Sequence, residues 1–258
     1  PPTYNSSVDP DERRRLSSSP PPLPPKMPFG IKPTNFLYIH RKHDSIKESV
    51  AIDPTLMIPS VLLPPLPLGQ VRENLKVEST HGSINLDIWL VPGATESLNT
   101  ILRGRAVLAV KSEHGSINTQ LVIPGPRPPI HLTLTNQNGS IQAHLPRSFT
   151  GLIFISTRHG SVKFSDSLQS QLTPFGEMKN ERKYFLGDLA TWADPNSEWV
   201  GDELVLTTTH GSIKVAYEDG NGEGFGGSAY SRGGSSSRQR GSRSPRQGFF
   251  ERVFAMGS

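Results

Sequence analysis

The residues of this chain best suited to chemistry are histidines in a repeated His-Gly-Ser motif. Imidazole binds zinc and copper and titrates near neutral pH, so repeated histidines first suggest a metal site or a pH sensor. The motif occurs at residues 80–84 (THGSI), 113–117 (EHGSI), 158–162 (RHGSV) and 209–213 (THGSI), and as QNGSI at residues 137–141. A sixth, altered copy has His43, Asp44 and Ser45 in its place. Chemistry therefore depends on whether these copies converge in space.

Stacked repeats would place equivalent side chains in a column with a spacing of about 4.8 Å. Such a column would contain His43, His81, His114, His159 and His210, with Asn138 interrupting it. Side chains that point in one direction do not surround an ion, so metal binding or pH sensing is the weaker hypothesis.

Backbone geometry explains the motif better. Histidine and asparagine are enriched in the left-handed region, glycine accepts positive φ, and a serine hydroxyl can bond a neighbouring backbone group. Asp44 also tolerates positive φ, so the altered copy keeps the same requirement. We therefore predict that the motif forms corners between strands, and that the chain has no metal ligand, no cofactor and no catalytic residue.

The segments around each motif read as strands. In LKVESTHGSINLDI (residues 75–88), apolar and polar residues alternate on both sides of the turn, which is typical of half-buried strands. Small polar residues stand two positions before the histidine or asparagine of five copies: Ser79, Ser112, Asn136, Thr157 and Thr208. The serines of the six units are separated by 38, 33, 24, 21 and 51 residues. The sequence thus predicts an all-β repeat fold of six short strand–HGS–strand units.

Two architectures fit these units. In a β-solenoid the motif marks a corner and the units stack in parallel, which favours identical residues at every corner. In an antiparallel β-sandwich of hairpins, Val77 would face Leu86 across a two-residue turn. We predict the solenoid and keep the sandwich as the alternative.

Composition divides the chain into three zones. Residues 1–34 are proline-rich and residues 220–258 are rich in Gly, Ser and Arg, so both are predicted to be disordered tails. Residues 35–219 form the β-repeat domain, with an insertion at about 165–202 that is predicted to hold a short helix and one strand, KYFLG. The tails carry net charges of +2 and +4, which leaves −2 of the total +4 for the core. A nearly neutral core does not indicate nucleic-acid binding.

Several phrases resemble a known family. These are residues 34–66 (TNFLYIHRKHDSIKESVAIDPTLMIPSVLLPPL), the NGSI and HGSI repeats, HLPRSFTGLIFISTRHGSV and GDELVLTTTHGSIKVAY. Together they resemble an uncharacterised fungal domain family of unknown function, which in turn is similar to bacterial adhesin domains with G-[DS]-I repeats. The resemblance implies an adhesin-like β-solenoid and supplies no catalytic residues. Asp44 departs from the family's glycine, and histidine often stands where the family has asparagine.

The predicted function is that of a non-catalytic binding or structural domain. A carbohydrate-active solenoid enzyme is one alternative, but Asp87 and Glu113 stand alone in their repeats. An RNA-associated protein acting through the Arg/Ser tail is another. The predicted partners are a protein or glycan ligand, an SH3-type domain for Pro21-x-x-Pro24-x-Lys26, and a second copy of the chain through exposed end strands.

The expected cellular location rests on three features that the sequence lacks. The chain has no cysteine, no apolar signal-peptide core at its start and no run long enough to span a membrane. These features favour an intracellular location.

Overall fold

The structure is a computed structural model that describes residues 28, 30–63, 65–66, 69, 71–91, 104–191 and 199–218. The C-terminal tail, the Pro21–Lys26 motif and most of residues 1–34 lie outside the described residues, so the predictions for them stay predictions.

The described residues form fifteen strands and little helix. In chain order the strands are β1 (Pro33–Thr34), β2 (Leu37–Arg41), β3 (Ile46–Ile52), β4 (Leu75–His81), β5 (Ile84–Leu90), β6 (Ala106–His114), β7 (Ile117–Val122), β8 (Ile130–Asn138), β9 (Ile141–Leu145), β10 (Gly151–His159), β11 (Val162–Phe164), β12 (Leu172–Met178), β13 (Glu181–Leu186), β14 (Asp202–His210) and β15 (Ile213–Tyr217). The helix α1 spans Asp166–Gln169, and 3-10 turns span Ser60–Leu62 and Leu189–Thr191. The prediction of an all-β fold is confirmed.

The strands form two sheets. Sheet A has the order β1-β3-β5-β7-β9-β15-β11, and sheet B has the order β12-β13-β10-β14-β8-β6-β4-β2. One core cluster contains inward-facing residues of both sheets, among them Leu75, Leu108 and Leu132 from sheet B and Ile84 and Ile117 from sheet A. Burial of such aliphatic side chains contributes about 1.5–3 kcal/mol each and is the main source of stability.

Each unit contributes one strand to each sheet. We number the units along the chain as unit 1 (β2, β3), unit 2 (β4, β5), unit 3 (β6, β7), unit 4 (β8, β9), unit 5 (β10, β11) and unit 6 (β14, β15). Equivalent strands pair in parallel, so Val77 lies opposite Ile39 and Val110, and does not pair with Leu86 across the turn. Equivalent residues of neighbouring units are therefore brought side by side.

The units do not stack in chain order. Both sheets show the order 1-2-3-4-6-5, so unit 6 lies between units 4 and 5. The insertion between units 5 and 6 contains α1 and an antiparallel hairpin of β12 and β13, whose second strand pairs with β10. The predicted helix and the KYFLG strand are present, and β12 is an additional strand that the sequence analysis missed.

Asp202 connects unit 6 to both of its neighbours. Its carboxylate accepts hydrogen bonds from the amides of Ile130, at the start of β8, and Thr150, just before β10, at 3.0 and 3.1 Å. The guanidinium of Arg127 donates to both carboxylate oxygens, each at 2.5 Å. Gly151 is required beside it, because a Cβ there would overlap the Asp202 carbonyl. One buried side chain thus joins the beginnings of three neighbouring strands, β14, β8 and β10.

Candidate functional site

The predicted histidine column exists along the corner between the sheets. The rings of His81 and His114 are stacked with centroids 5.0 Å apart and planes 9° from parallel. His43 stacks on His81 at 5.5 Å, and His159 on His210 at 4.9 Å. Asn138 separates the two stacks and lies 3.3 Å from the ring of His114. All six side chains are exposed; five of them end their strands, and His43 lies in the bend that follows β2.

Parallel stacking does not create a metal site. A zinc site needs three or four ligands directed at one point about 2.1 Å from each nitrogen, whereas these rings face one another along a line. No group of three or more His, Asp or Glu side chains that could hold a metal ion occurs in the part of the chain that the structure describes.

The glycine of the motif is explained by the neighbouring unit. A Cβ built on Gly82 would lie 2.5 Å from the carbonyl oxygen of Asp44, and one on Gly115 would lie 2.5 Å from that of Gly82. The same overlap with the preceding corner occurs at Gly139, Gly211 and Gly160. Real Cβ atoms do not approach backbone so closely, so only glycine allows the units to stack at this spacing.

Left-handed geometry accounts for part of the motif only. The glycines at 115, 139 and 211 have φ values of 129°, 148° and 151°. Among the described residues, Phe36 and Lys179 are the non-glycine residues with positive φ. The expectation that the histidines, Asn138 and Asp44 adopt that region was therefore wrong. His81, His114, Asn138, His159 and His210 are still part of their extended strands, and His43 and Asp44 lie in a bend without positive φ.

The hydrogen-bond ladder continues through the corner. The amides of Gly82, Gly115 and Gly139 donate to the carbonyls of His114, Asn138 and His210 at 2.8–3.1 Å. The amides of Ile84, Ile117 and Ile141 donate to the carbonyl of the motif serine in the adjacent unit of the stack at 2.8–2.9 Å. Backbone groups that would otherwise be unpaired at a bend are satisfied by the adjacent unit.

Buried polar side chains support the inner side of the corner. Asn136 donates from Nδ2 to the carbonyl of Gly115 at 2.6 Å, and Thr208 donates to the carbonyl of Gly139 at 3.3 Å. Ser79 donates to its own unit's Gly82 at 3.2 Å. The recurrence of a small polar residue two positions before the histidine or asparagine is visible in the sequence. Its role in binding the corner carbonyl is visible only in the structure.

The motif serines bond mainly to one another. The hydroxyls of Ser83 and Ser116 lie 3.2 Å apart, and those of Ser140 and Ser212 lie 3.1 Å apart. The expected bond to a neighbouring backbone group is found at the Ser116 amide, which lies 3.4 Å from the Ser83 hydroxyl. The corner therefore presents an exposed line of hydroxyls beside the line of imidazoles.

A second polar cluster lies on the outer face of sheet A. The register of β5, β7 and β9 aligns Asp87, Gln120 and His144 in one row. Gln120 donates to the carboxylate of Glu218 at 2.8 Å. Burial raises the pKa of Glu218, and the negative charge of Asp87 raises it further against the lowering effect of the Gln120 bond. Asp87, which looked isolated in the sequence, thus has an acidic neighbour.

His144 belongs to the same cluster, and its surroundings favour the neutral form. Burial lowers its pKa, although a hydrogen bond to the backbone of Tyr217 opposes the shift. Gln142 lies 2.9 Å from its Nε2, and an amide NH2 there donates to the unprotonated ring nitrogen. This cluster could be found only from the register in which the strands pair, and the sequence does not reveal that register.

Two other outward surfaces stand out. A groove of about 290 Å³ on sheet B is lined by Lys76, Glu78, Lys111 and Thr135 around the small side chain of Ala109. The segment from residue 54 to residue 71 contains no charged residue and exposes Leu56, Met57, Val61, Leu62, Leu66 and Val71. Exposed apolar segments of this kind are common at interaction sites.

Comparison with known proteins gives one family and one distant structure. Residues 35–220 match the profile of a domain of unknown function, DUF7330. The structure is similar to the crystal structure of a "putative cell adhesion protein" from Clostridium sporogenes, with 11% identity and a TM-score of 0.32, over 75% of this chain and 96% of that chain. A likeness this distant carries no functional conclusion. No curated protein matches the sequence significantly.

These comparisons confirm the resemblance to a family of unknown function, while its fungal origin stays a prediction. No helix among the described residues is long and apolar enough to cross a membrane.

Proposed function

This chain belongs to the family of the domain of unknown function DUF7330, and we propose that its folded part is a non-catalytic, solenoid-like β-repeat domain that binds a protein or glycan ligand. The observation that carries the proposal is the in-register stacking of the six units. The histidine rings stack on one another, the glycines leave room for the backbone carbonyl of the neighbouring corner, and the buried polar residues donate hydrogen bonds to corner carbonyls. The repeated residues are thereby used to hold the backbone.

The outward rows supply the binding surface in this proposal. Parallel strands in register give rows of side chains about 4.8 Å apart on a firm support, and such rows suit an extended ligand. The groove around Ala109 offers ammonium, carboxylate and hydroxyl groups within one concavity, which is a suitable set of partners for glycan hydroxyls or a polar peptide.

In a binding assay on a glycan or protein array, the protein should therefore bind a ligand and leave it chemically unchanged. Replacing Lys76 and Lys111 by alanine should weaken binding at least about tenfold if the groove is used, which corresponds to 1.4 kcal/mol. The matched control is Lys163→Ala on the exposed side of β11, in sheet A. Binding unchanged by the groove substitutions would reject the groove, and turnover of a bound glycan would reject the non-catalytic assignment.

A carbohydrate-active enzyme is the second candidate, favoured by Asp87 and Glu218. Two nearby carboxyl groups with different environments are the usual requirement for acid–base cleavage of a glycosidic bond. This candidate predicts glycan hydrolysis that Glu218→Gln and Asp87→Asn each abolish. Absence of hydrolysis by the wild-type protein across a panel of polysaccharides would remove it.

A further inference from the structure

Among the residues that the structure describes, unit 1 forms one end of the stack, and no strand pairs with the outer edge of β2. β2 is the terminal strand of sheet B, and β1 covers β3 only at Ala51 and Ile52. Exposed strand edges can template the addition of another chain, and proteins protect them with charged or inward-pointing polar residues. Because this edge carries the same strand–corner–strand pattern as the other units, a second copy of the chain is the partner it would fit.

Asp44 changes the corner at this end. The Cβ positions of the corner glycines all point toward the neighbouring unit on the unit 1 side of the stack, where each would overlap a backbone carbonyl. Asp44 occupies the equivalent position in unit 1, and its backbone carbonyl is the one that Gly82 approaches. By the same geometry its own Cβ points away from the stack, into the space that a further corner would occupy.

At this end of the stack, a charged pair occupies two inward-facing positions that hold uncharged residues in unit 2. Arg41 lies in register with buried Ser79, and Glu48 lies in register with buried Leu86. Residues paired in register on parallel strands face the same side of the sheet, so both charged side chains occupy inward positions. They bond to each other at 2.6 Å and remain partly exposed. A further unit placed over them would remove this pair from water, which is unfavourable.

We propose that unit 1 is a cap that prevents a second copy of this chain from adding, strand to strand, to β2 and β3. Asp44 acts by overlap with the backbone of an added corner, and the Arg41–Glu48 pair acts by its desolvation. At the other end, the β12–β13 hairpin covers β10, and the terminal strand of sheet A has only three residues. The proposal goes beyond ligand binding, because it assigns a role to residues that break the repeat pattern.

The test converts unit 1 into a copy of unit 2. The full-length variant R41S/D44G/E48L has the residues of the second unit at these three positions, and sedimentation velocity over a concentration series measures its association. The variant should associate with an apparent Kd at least about tenfold lower than that of the wild type. Lys47→Leu, which adds a leucine to the outward side of β3, is the matched control and should behave as the wild type.

Hydrogen exchange locates the contact. The β2 amides that face away from β4 should exchange rapidly in the wild type and slowly in the associated variant. A folded triple variant that remains monomeric would overturn the proposal, as would association without protection of β2 or protection of β2 by self-association of the wild type. If the triple variant does not fold, Asp44→Gly alone decides, since Asp44 is exposed: increased association with protection of β2 supports the cap, and unchanged association overturns it.

Discussion

Asp202 and Arg127 form a two-point ion pair, 2.5 Å at each contact, in which the carboxylate also accepts two backbone amides from different strands. The side chains are only 5% and 12% exposed. This pair joins the strands that flank unit 6, which the chain reaches only after completing unit 5. We infer that it stabilises the unusual order of the units.

Asp202→Ala should lower the free energy of unfolding by about 3–5 kcal/mol, because it removes the carboxylate that neutralises the largely buried Arg127 and accepts two backbone amides. Urea denaturation measures the change. The control is Glu177→Ala, which breaks an ion pair with Arg182 on the exposed β12–β13 hairpin and should cost less than about 1 kcal/mol. Equal losses in the two variants would contradict the role given to Asp202.

Asn136 provides a test of the inner corner. Asn136→Ala removes the donor to the Gly115 carbonyl and should destabilise the fold by about 1–3 kcal/mol. Asn136→Thr keeps a hydroxyl donor of the kind that Thr208 supplies in unit 6, and should recover part of the loss. If threonine is no better than alanine in thermal unfolding, the hydrogen bond does not support the corner.

His144 should make the fold sensitive to acid. Its folded pKa is lowered by burial, so the unfolded chain binds a proton that the folded chain does not once the pH falls below the ordinary value of 6.5. The stability contributed by neutral His144 is present above pH 6.5 and is lost as the pH falls through its folded value. His144→Gln should remove this loss between pH 7 and about pH 5, measured as the difference in urea midpoint. A variant with the wild-type slope would contradict it.

Glu218 should have the opposite effect. Its folded pKa is raised above 4.5, so its contribution to stability is complete below pH 4.5 and is lost as the pH rises through the raised value. Glu218→Gln removes the buried charge and can keep a hydrogen bond to Gln120. The variant should gain stability over the wild type at pH 7 and show little gain at pH 4. A gain that is the same at both pH values would show that the charge is not responsible.

The histidine column should not respond to zinc. Because the rings face one another, added Zn²⁺ should leave the midpoint of thermal unfolding within about 1 °C of its value with a chelator present. H81N/H114N should give the same response as the wild type. A rise in the midpoint that grows with zinc concentration and disappears in this variant would support the metal hypothesis instead.

Much of the fold could be predicted from short-range pattern. Alternation of apolar and polar residues in residues 75–88 identifies both strands of unit 2, because a half-buried strand has a period of two. The same alternation around the altered copy of the motif, His43, Asp44 and Ser45, identifies unit 1. The same patterns cannot state which strands pair. Unit 6 lies between units 4 and 5 through pairing and contacts between distant residues, such as those of Asp202 with Ile130 and Thr150, which are 72 and 52 residues away.

The candidate sites were less predictable. The sequence shows a column of histidines, but only the structure shows that a corner glycine is needed because Gly82 approaches the carbonyl of Asp44. Asp87 and Glu218 looked unrelated, since they are brought together by the pairing of β5, β7, β9 and β15, which the sequence does not show. Properties set by one segment could be predicted, and those set by the alignment of distant strands could not.

The most direct test of the account compares Gly115→Ala with His114→Asn in one measurement of the free energy of unfolding. Alanine at position 115 would place Cβ against the Gly82 carbonyl at positive φ, and should cost at least about 2 kcal/mol. Asparagine at position 114 repeats what Asn138 provides in unit 4 on an exposed edge, and should cost less than about 1 kcal/mol. If Gly115→Ala left the free energy of unfolding unchanged while His114→Asn lowered it severely, the stacked histidines, and not the close-packed corner backbone, would be the stabilising feature of the motif.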